Sequence, residues 1–525
     1  MEKTLKVVKE SRRFFQKFSN AHSVSLISAD RSVEEEFENE TCEALPYKMV
    51  PGPKPFPLAG NTWRFLPIIG DFEIEHIDKV SKRLYEEYGP IVKVEGLLGR
   101  PDMLFLFDPD EIEKVFRQED ALPLRPSMPS LNYYKHVYQK DFFGDVGGVI
   151  AVHGKNWQNF RTKVNQIMMQ PRVAKMYIGP IEETAKEFVQ RIEKLKDQKN
   201  EMPHDFLNEI HKWSLESIAK VALDVRLGCL DDDANEETQK LIDAVNTFFM
   251  NVPILELKAP IWRLFATPTF NEYIRALDTI REISLKHINI ALRTLKTEKD
   301  AHEKSVLERV LAMDNDAKIA AILALDLFLV GIDTTSNAVG SILYQLATHP
   351  EIQDKAREEI LSVAPDYNDS LTSKKLDSMP YTKACIRETL RMYPVVIGNG
   401  RCTSRDSIIG GYLIPKGVQV VFQHYVISNL DKYFEKSNEF MPERWLKTCP
   451  HGMNESSKGH HPFASLPFGF GRRMCLGKRF ADIEIQTVIV KILQQYKLEY
   501  HHEKLDYFIH PMYTPNGPLR IKFTK

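Results

Sequence analysis

A single cysteine in a glycine-rich turn restricts this 525-residue sequence more than any other feature. Cys475 lies five residues before the start of an apolar stretch, residues 480–493, whose periodicity predicts a helix. A thiolate at a helix N-terminus is favoured by the helix dipole and by free backbone N–H groups. Gly471 and Gly477 would let a flat cofactor approach the backbone, and Arg473 could bind a carboxylate on that cofactor. The alternative is a buried structural cysteine that follows a turn.

The spacing of five residues decides between these alternatives. Phe468, Gly471, Arg473, Cys475 and Gly477 form the pattern Phe-x-x-Gly-x-Arg-x-Cys-x-Gly, which resembles the haem-thiolate signature of the cytochrome P450 family. The resemblance implies that Cys475 is the axial iron ligand of a haem b, and that Phe468 and Arg473 contact the cofactor. It covers about residues 46 to 525, with further motifs in the family's order.

The resemblance also implies a fold. We expect a mainly α protein with a small β region, organised as one large helical domain. The haem would lie between a long central helix and the cysteine-bearing helix. A composition of 43% hydrophobic and 27% charged residues suits such a large core.

Charge and cysteine usage exclude several classes of protein. The net charge of −2 gives no indication of a nucleic-acid partner, and we expect none. The six cysteines are scattered without a CxxC pair. This spacing argues against a disulfide framework or a zinc site and favours a reducing compartment.

The first 57 residues divide into two segments by charge. Residues 1–29 are basic, amphipathic and rich in serine, which predicts a mitochondrial transit peptide; a solvated surface helix is the alternative. No apolar run near 20 residues opens the chain, so we expect no N-terminal membrane anchor. Residues 30–57 form an acidic arm and a proline hinge, and residues 58–525 form the predicted catalytic domain.

The body of the chain reads mainly as helices. We predict a helix over residues 72–88, two short strands within 91–107, a long loop over 123–150, and helices through 175–300 with breaks at Pro203 and Pro253. The resemblance implies that the long loop roofs the substrate pocket. Residues 248–265 are apolar and interrupted by proline, so they either pack in the core or dip into a bilayer surface as a peripheral membrane contact.

Two further residues point to an anionic group. Trp157 and Arg161 lie four residues apart and therefore share one helical face, where both can donate to an anion. The alternative is a tryptophan packed under an arginine stem. The resemblance favours contact with a haem propionate, and it gives Arg401 the same role.

The sequence of residues 316–349 predicts a helix of about nine turns. Residues 319–330 are apolar on almost all sides, so we expect this helix to be buried. Within it, Asp333 and Thr334 follow Gly331, and an acid beside a hydroxyl can relay protons; ordinary helix packing is the alternative. The resemblance places both over the distal face of the haem as catalytic residues. Val330 departs from the family pattern, where a small residue is usual, and predicts a narrower pocket.

A second helical segment carries two sets of charged residues. Glu388 and Arg391 lie three residues apart and can pair, which on a surface would mean little. The resemblance joins them to Arg444 as a structural brace. Lys383 and Arg387 form a basic edge that is either a solvated helix face or, as in mitochondrial members of the family, the docking site of an acidic ferredoxin.

Together these features predict a mitochondrial cytochrome P450 monooxygenase, similar to the insect mitochondrial class, on the matrix side of the inner membrane. It would insert one oxygen atom of O2 into a small apolar substrate, a steroid or a xenobiotic, with electrons from a ferredoxin reduced by ferredoxin reductase. One alternative is a haem-thiolate isomerase or dehydratase, although such enzymes often lack the acid–threonine pair. A non-catalytic haem-bound ligand carrier or sensor is the other.

Overall fold

A computed structural model describes residues 43–525, except 67, 126–127, 233–235, 296–303, 447–459 and 510–511. The predicted transit peptide, residues 1–29, and most of the acidic arm therefore lie outside the described residues.

The described part of the chain is mainly helical. Its α-helices are α1 (Ile77–Tyr88), α2 (Pro109–Arg117), α3 (Pro129–Tyr133), α4 (Lys140–Phe143), α5 (Gly154–Met168), α6 (Pro171–Lys175), α7 (Ile178–Leu195), α8 (Phe206–Leu223), α9 (Glu236–Leu257), α10 (Pro268–Arg293), α11 (Val306–Asp314), α12 (Ala317–Thr348), α13 (Pro350–Val363), α14 (Ser373–Asp377), α15 (Pro380–Met392), α16 (His424–Ser428) and α17 (Lys478–Gln495). Short 3-10 turns and one π-helical turn, Tyr134–Tyr138, connect some of them.

The β region is small, as predicted. Its strands are β1 (Leu45–Pro46), β2 (Ile91–Val94), β3 (Met103–Leu106), β4 (Asn399–Cys402), β5 (Ser407–Ile409), β6 (Tyr412–Ile414), β7 (Gln419–Phe422), β8 (Lys497–Glu499), β9 (Asp506–Ile509), β10 (Tyr513–Asn516) and β11 (Lys522–Thr524). The largest described sheet has the order β2-β3-β7-β4, in which β3 and β7 are parallel and the other pairs are antiparallel. This mainly α fold with a small β region confirms the predicted fold class.

The central helix α12 organises the core. It begins at Ala317 because the Asp316 carboxylate accepts hydrogen bonds from the backbone N–H groups of Lys318 and Ile319. Its 32 residues are apolar on most sides, and α8, α10 and α11 pack against it. Among the described helices, α12 is the one long and apolar enough to cross a membrane, and most of it is buried inside the fold. Such burial is typical of a core helix.

Three apolar cores surround the position of the site. One joins the first half of α12 to α5, α8, α9 and α10, and a second joins its last half to α7, α13, α15 and α17. A third lies under the sheet of β2, β3 and β7. Since α12 and α17 contribute to the first two cores, these two helices are fixed relative to each other, with the Cys475 turn beside them.

Two of the sequence predictions are wrong. Residues 123–150 were predicted as one long loop, but the structure forms α3, a π-helical turn and α4 there. The aromatic residues that suggested a loop pack into the core instead, with Tyr134 2% and Phe143 4% exposed. Side-chain burial therefore stabilises short helices that the proline and glycine content conceals.

The predicted break at Pro253 is also wrong, because α9 continues through this proline to Leu257. Proline lacks a backbone N–H and costs most in a helix interior. Here it lies in the penultimate turn, and Arg100 donates to the terminal carbonyl oxygens of Leu255 and Lys258 at 2.6 and 2.8 Å. These bonds satisfy the helix end that the proline would otherwise weaken.

Candidate active site

The turn that carries Cys475 is closed by its own backbone. The Cys475 N–H donates to the Phe468 carbonyl oxygen at 2.9 Å. Gly469 and Gly471 have φ of +68° and +74°, which side chains rarely allow. A Cβ atom at Gly471 would also lie 2.9 Å from the Glu119 carboxylate. The shape of the turn therefore requires Gly471 of the motif and its neighbour Gly469, whereas Gly477 has a φ of −82° and is not required by backbone conformation.

The Cys475 thiol is accessible at the end of this turn, three residues before the first residue of α17. Burial among protein atoms raises its pKa, whereas the N–H groups of Gly477 and Lys478 and the guanidinium of Arg161 lower it. These groups stabilise the thiolate, which is the form that binds a metal. Among the described residues no cluster of three His, Cys, Asp or Glu could hold a metal ion. A single thiolate suits an iron whose remaining ligands come from a porphyrin.

Four buried guanidiniums lie next to the Cys475 turn. We call them the arginine cradle; they belong to Arg125, Arg161, Arg401 and Arg473. Burial lowers the pKa of Arg125 to about 10, and the charges of Arg401 and Arg161 act in the same direction. Burial and the other three guanidiniums lower the pKa of Arg473 to about 9. One carboxylate, Glu119, pairs with Arg401, so the cradle keeps a surplus of positive charge.

The cradle fits the two carboxylates of a haem. The Nε atoms of Arg125 and Arg161 are buried and have no hydrogen-bond partner among the described residues. Buried cationic donors without partners are costly unless an anion compensates them. Arg161 lies four residues from Trp157 on α5 and donates its Nη2 to the Met474 carbonyl oxygen at 2.8 Å. It therefore links the cradle directly to the Cys475 turn.

Trp157 and Arg401, both predicted to contact a haem propionate, lie next to Arg473 and Glu119 respectively. Trp157 is buried, and the Arg473 guanidinium stacks on its ring at 3.7 Å. Arg473 also donates to the Pro123 carbonyl oxygen at 3.2 Å. Arg401 is held by Glu119 and by the Gly400 carbonyl oxygen at 2.9 Å. Arg401 thus belongs to the cradle and Trp157 packs against it, both through contacts to protein groups that the sequence did not reveal.

The acid and the threonine of α12 point to different partners. Asp333 is 7% exposed, and its Oδ1 lies 2.9 Å from His211 Nε2 on α8. Thr334 is partly buried and donates its hydroxyl to the Val330 carbonyl oxygen at 2.7 Å. Such a bond bends the helix locally. Gly331 lets α8 approach, because a Cβ there would lie 2.7 Å from Ile218.

Glu388 lies at the centre of a second charged cluster, which we call the glutamate brace. Both Glu388 oxygens accept from Arg391 at 2.9 and 2.8 Å, and Arg444 and Trp445 each donate at 2.9 Å. Arg391 also reaches the Ser428 carbonyl oxygen at 2.6 Å. The side chains of Glu388 and Arg391 are 0% exposed. The structure thus brings together the three residues predicted to brace the fold, and it adds Trp445.

Lys383 and Arg387 lie on the outer face of α15. Lys383 pairs with Asp377 at 2.9 Å, and Asp377 also binds Lys175. Arg387 is exposed and stacks on Trp445 at 4.1 Å. The paired lysine is partly neutralised, so the free positive charge of this edge rests mainly on Arg387.

Three residues of the site were not predicted from the sequence. Arg125 stands alone in a proline-rich stretch, Glu119 follows α2, and His211 lies 122 residues before its partner. None belongs to a motif with fixed spacing. The local sequence does not distinguish them, because Glu119 and His211 lie among other polar residues and a lone arginine such as Arg125 is too common to identify a site.

The comparisons with known proteins agree with this geometry. Residues 50–523 match the family model described as Cytochrome P450. The chain is 50% identical over 492 residues to "Probable cytochrome P450 301a1, mitochondrial" of Drosophila melanogaster, which covers 93% of this chain and 88% of that protein. It is 48% identical over 491 residues to "Probable cytochrome P450 49a1" of the same species, covering 91% and 83%. A third relative from the same species, "Probable cytochrome P450 12a5, mitochondrial", is 37% identical over 454 residues, which cover 84% of this chain and 84% of that protein. This chain therefore belongs to the cytochrome P450 family, as a haem-thiolate monooxygenase with haem as its cofactor.

Proposed function

We propose that this protein is a mitochondrial monooxygenase that receives its electrons from a ferredoxin and oxidises small apolar substrates, steroids or xenobiotics. Haem b, bound through Cys475 and the arginine cradle, supplies the activation of O2. The residues of this chain bind the substrate, exclude water and deliver protons. The rival haem-thiolate isomerase, dehydratase and ligand carrier need no electron donor, so the donor is the feature to test.

One observation carries the proposal of a ferredoxin partner, namely the basic side chains around the Cys475 turn. Arg387, Arg472 and Arg479 are exposed there. Burial lowers the pKa of Arg387, and Asp482, which pairs with Lys478 at 2.7 Å, opposes that shift. Asp482 thus lies close both to Arg387 on α15 and to Lys478 on α17. The outer side of α15 and the start of α17 therefore present one surface. A surplus of positive charge steers an acidic partner toward that surface.

Two sources support a mitochondrial location. Several relatives bear mitochondrial names, among them two of those described above. Residues 1–29 also have the composition of a transit peptide. We assign the protein to the matrix side of the inner membrane, where a soluble ferredoxin and its reductase would reach it.

Asp333 and Thr334 are the proposed proton-delivering residues. Asp333 is a buried carboxylate on the central helix, and Thr334 carries the adjacent hydroxyl. In this role Asp333 supplies the proton and Thr334 orients it toward the haem side of α12. Val330 lies one turn before Thr334 and Val395 follows α15, and both are partly buried apolar side chains. They would narrow a pocket suited to a flat or slender apolar substrate.

An exposed apolar patch supports peripheral contact with a membrane. It consists of Leu58, Leu66, Ile68, Ile69, Leu98, Ile261, Leu264 and Phe265. Leu264 is 70% and Ile68 103% exposed. Hydrogen bonds hold its segments together, because Leu98 N–H donates to Thr62 at 2.8 Å and Arg263 donates to the Gly99 carbonyl oxygen at 3.3 Å. Contiguous exposed apolar side chains suit the interface of a bilayer.

Reconstitution with different electron donors tests the proposal. The purified protein should form product with a mitochondrial ferredoxin and its reductase, and much less with a diflavin reductase. Reversing two charges (Lys383→Glu with Arg387→Glu) should slow reduction by ferredoxin and weaken its salt dependence, because long-range attraction acts within about 10 Å at 0.1 M salt. Preference for the diflavin reductase would contradict the proposal.

A matched charge reversal controls for net charge. Lys79 and Lys82 are exposed lysines on α1, so Lys79→Glu with Lys82→Glu changes net charge by the same amount on another surface. This control should leave reduction by ferredoxin unchanged. In parallel, Cys475→Ser should lose the red-shifted ferrous carbon-monoxide band of a thiolate ligand, whereas substitution of Cys385 should retain it.

A further inference from the structure

A buried polar seam runs between the central helix and α8. We define the polar seam as His211 on α8 together with Asp333 and Asn337 on α12. Asp333 and Asn337 lie one helical turn apart and thus on the same face of α12. Their exposed fractions are 7% and 1%, and that of His211 is 6%. Three polar side chains in an interface formed mostly by apolar residues need an explanation.

Within this seam, His211 and Asp333 bind each other. The 2.9 Å separation of His211 Nε2 and Asp333 Oδ1 is a hydrogen bond in which the imidazole N–H donates to the carboxylate. Other charged side chains of α8 are engaged elsewhere. Glu209 pairs with Arg191 and Lys212. The Glu216 carboxylate accepts from the backbone N–H groups of Leu227 and Cys229, and Lys220 pairs with Glu183 and Asp224. The imidazole therefore faces Asp333 and no other described charge is bonded to it.

The seam also contains polar atoms without protein partners. The Nδ1 atom of His211 and both amide atoms of Asn337 are buried and have no hydrogen-bond partner among the described residues. Buried polar atoms of this kind are normally satisfied by internal water, which binds where several polar groups converge. Water held at the seam would contact the His211 ring on the side opposite Asp333. The ring would then connect this water to the carboxylate.

We propose that His211 transfers protons to Asp333 from water at the polar seam. A solvent proton carried by this water binds His211 Nδ1, and the resulting imidazolium releases its Nε2 proton to Asp333 Oδ1, which leaves a neutral ring protonated at Nδ1. Rotation of the ring away from Asp333 then lets it lose the Nδ1 proton to the seam water and take up an Nε2 proton from that water, before it rotates back for the next transfer. One proton enters and one leaves, and no electron moves. The inference rests on the proposed proton-delivering role of Asp333. His211 is thus a positioning residue that acts through Asp333.

Two substitutions separate proton transfer from structure. His211→Gln keeps an amide N–H that can donate to Asp333 but cannot carry a proton, and His211→Phe keeps the ring shape without either function. The readout is the amount of product formed per electron consumed, with hydrogen peroxide measured as the wasted fraction. Both variants should lower this yield by about 10-fold, part of the roughly 10²–10⁴-fold that positioned proton transfer contributes. A yield near that of the unchanged protein in His211→Gln would overturn the proposal.

A double substitution tests whether His211 acts through Asp333. In an Asp333→Asn background, His211→Gln should cause no further loss, because the pathway is already interrupted. A full additional loss would assign His211 a separate role and overturn the proposal. If Asp333→Asn alone leaves the yield unchanged, the proposed role of Asp333 fails. If Asp333→Asn lowers the yield and His211→Gln does not, only the role of His211 fails.

A measurement independent of turnover tests the bond itself. In protein labelled with 15N-histidine, the signal that disappears in His211→Gln should shift when Asp333 is replaced by Asn. A signal unmoved by Asp333→Asn would overturn the proposal. His287, which lies 3.3 Å from Glu237 on neighbouring helices, provides a matched control. His287→Gln should leave the product yield, the carbon-monoxide spectrum and the unfolding temperature unchanged.

Discussion

The glutamate brace and the arginine cradle are both buried clusters of arginines, but their charges are balanced differently. In the brace, Glu388 accepts four side-chain hydrogen bonds, and the guanidinium of Arg391 also reaches backbone carbonyl oxygens. In the cradle, Glu119 is the one carboxylate among the described residues that pairs with any of the four guanidiniums, and two Nε atoms have no described partner. The brace is complete within the chain, whereas the cradle needs an added anion.

This difference separates a structural role from a binding role. A buried ion pair is stable only when its hydrogen bonds are satisfied, and removing one partner then costs several kcal/mol. The brace meets that condition and so fixes α15 relative to Arg444 and the residues after α16. The cradle does not, and its mutual repulsion lowers the pKa of Arg473 in the absence of a ligand, after the larger effect of burial. Binding of carboxylates to the cradle would therefore relieve repulsion between its guanidiniums.

Loss of the brace carboxylate should have the largest effect. Glu388→Gln keeps the side-chain shape but leaves Arg391 and Arg444 buried without a counter-charge. We expect a loss of about 3–5 kcal/mol in the free energy of unfolding, a large part of the total for a protein of this kind. Urea unfolding and the yield of soluble protein measure it. Glu443→Gln is the control, since that carboxylate is more exposed and pairs with Lys355; equal losses in both variants would contradict a special role of the brace.

A buried acid that pairs with no cation in the described part of the chain provides a third case. Glu484 on α17 accepts a hydrogen bond from Ser217 at 2.7 Å, and burial raises its pKa to about 7 from 4.5. A folded-state pKa above the unfolded value makes stability highest below about pH 4.5 and lowers it as pH rises through 7. Glu484→Gln should remove this dependence and gain up to about 3 kcal/mol above pH 7 relative to the unchanged protein.

Unfolding measured at pH 5 and pH 8 checks the prediction for Glu484. The difference between Glu484→Gln and the unchanged protein should grow with pH. The control is Ser217→Ala, which removes the hydrogen-bond partner and leaves the acid titratable. A constant difference across this pH range would show that Glu484 does not titrate within it.

Removal of a cradle arginine should weaken haem binding without weakening the fold. Arg125→Leu removes a buried cation that has no described partner at Nε, so the haem-free protein should be as stable as before or more so. A hydrogen bond to a charged group contributes about 1.5–3 kcal/mol, and we expect haem to dissociate roughly 10–100-fold faster. Haem transfer to an acceptor apoprotein measures the rate. Arg117→Leu, an exposed arginine paired with Glu113, should leave it unchanged.

The smallest effect should come from the carboxylate inside the cradle. Glu119→Gln increases the surplus of positive charge and frees Arg401 from its pair. Haem should dissociate a few-fold more slowly, because the guanidinium of Arg401 becomes available to a haem carboxylate in addition to the other three of the cradle. Faster dissociation would indicate that Glu119 orients Arg401 for the haem and does not compete with it. The rate of haem dissociation should thus rise in Arg125→Leu and fall in Glu119→Gln. Glu388→Gln in the brace should instead lower the free energy of unfolding.

The brace and the cradle also differ in how far the sequence predicts them. Glu388 and Arg391 share one helical face by spacing alone, and the resemblance to the family added Arg444 as their partner. Three cradle members, Arg161, Arg401 and Arg473, were also expected. Arg125 and Glu119 were not, because neither lies at a fixed distance from a motif. The stacking of Arg473 on Trp157 joins residues 316 positions apart, which no local pattern records.

The sequence by itself determined the elements that depend on local chemistry. The cysteine turn is one, because its glycines and its cysteine lie within ten residues. The helices α12 and α17 are the others, because their apolar periodicity is a local pattern. Only the tertiary structure decided the partners of the charged side chains. It paired Asp333 with His211, added Trp445 to the partners of Glu388, and left Arg125 Nε without a hydrogen-bond partner among the described residues. The physical reason is range: backbone conformation depends on neighbours within a turn or two, whereas a buried charge is satisfied by whichever side chain the packed helices bring near it.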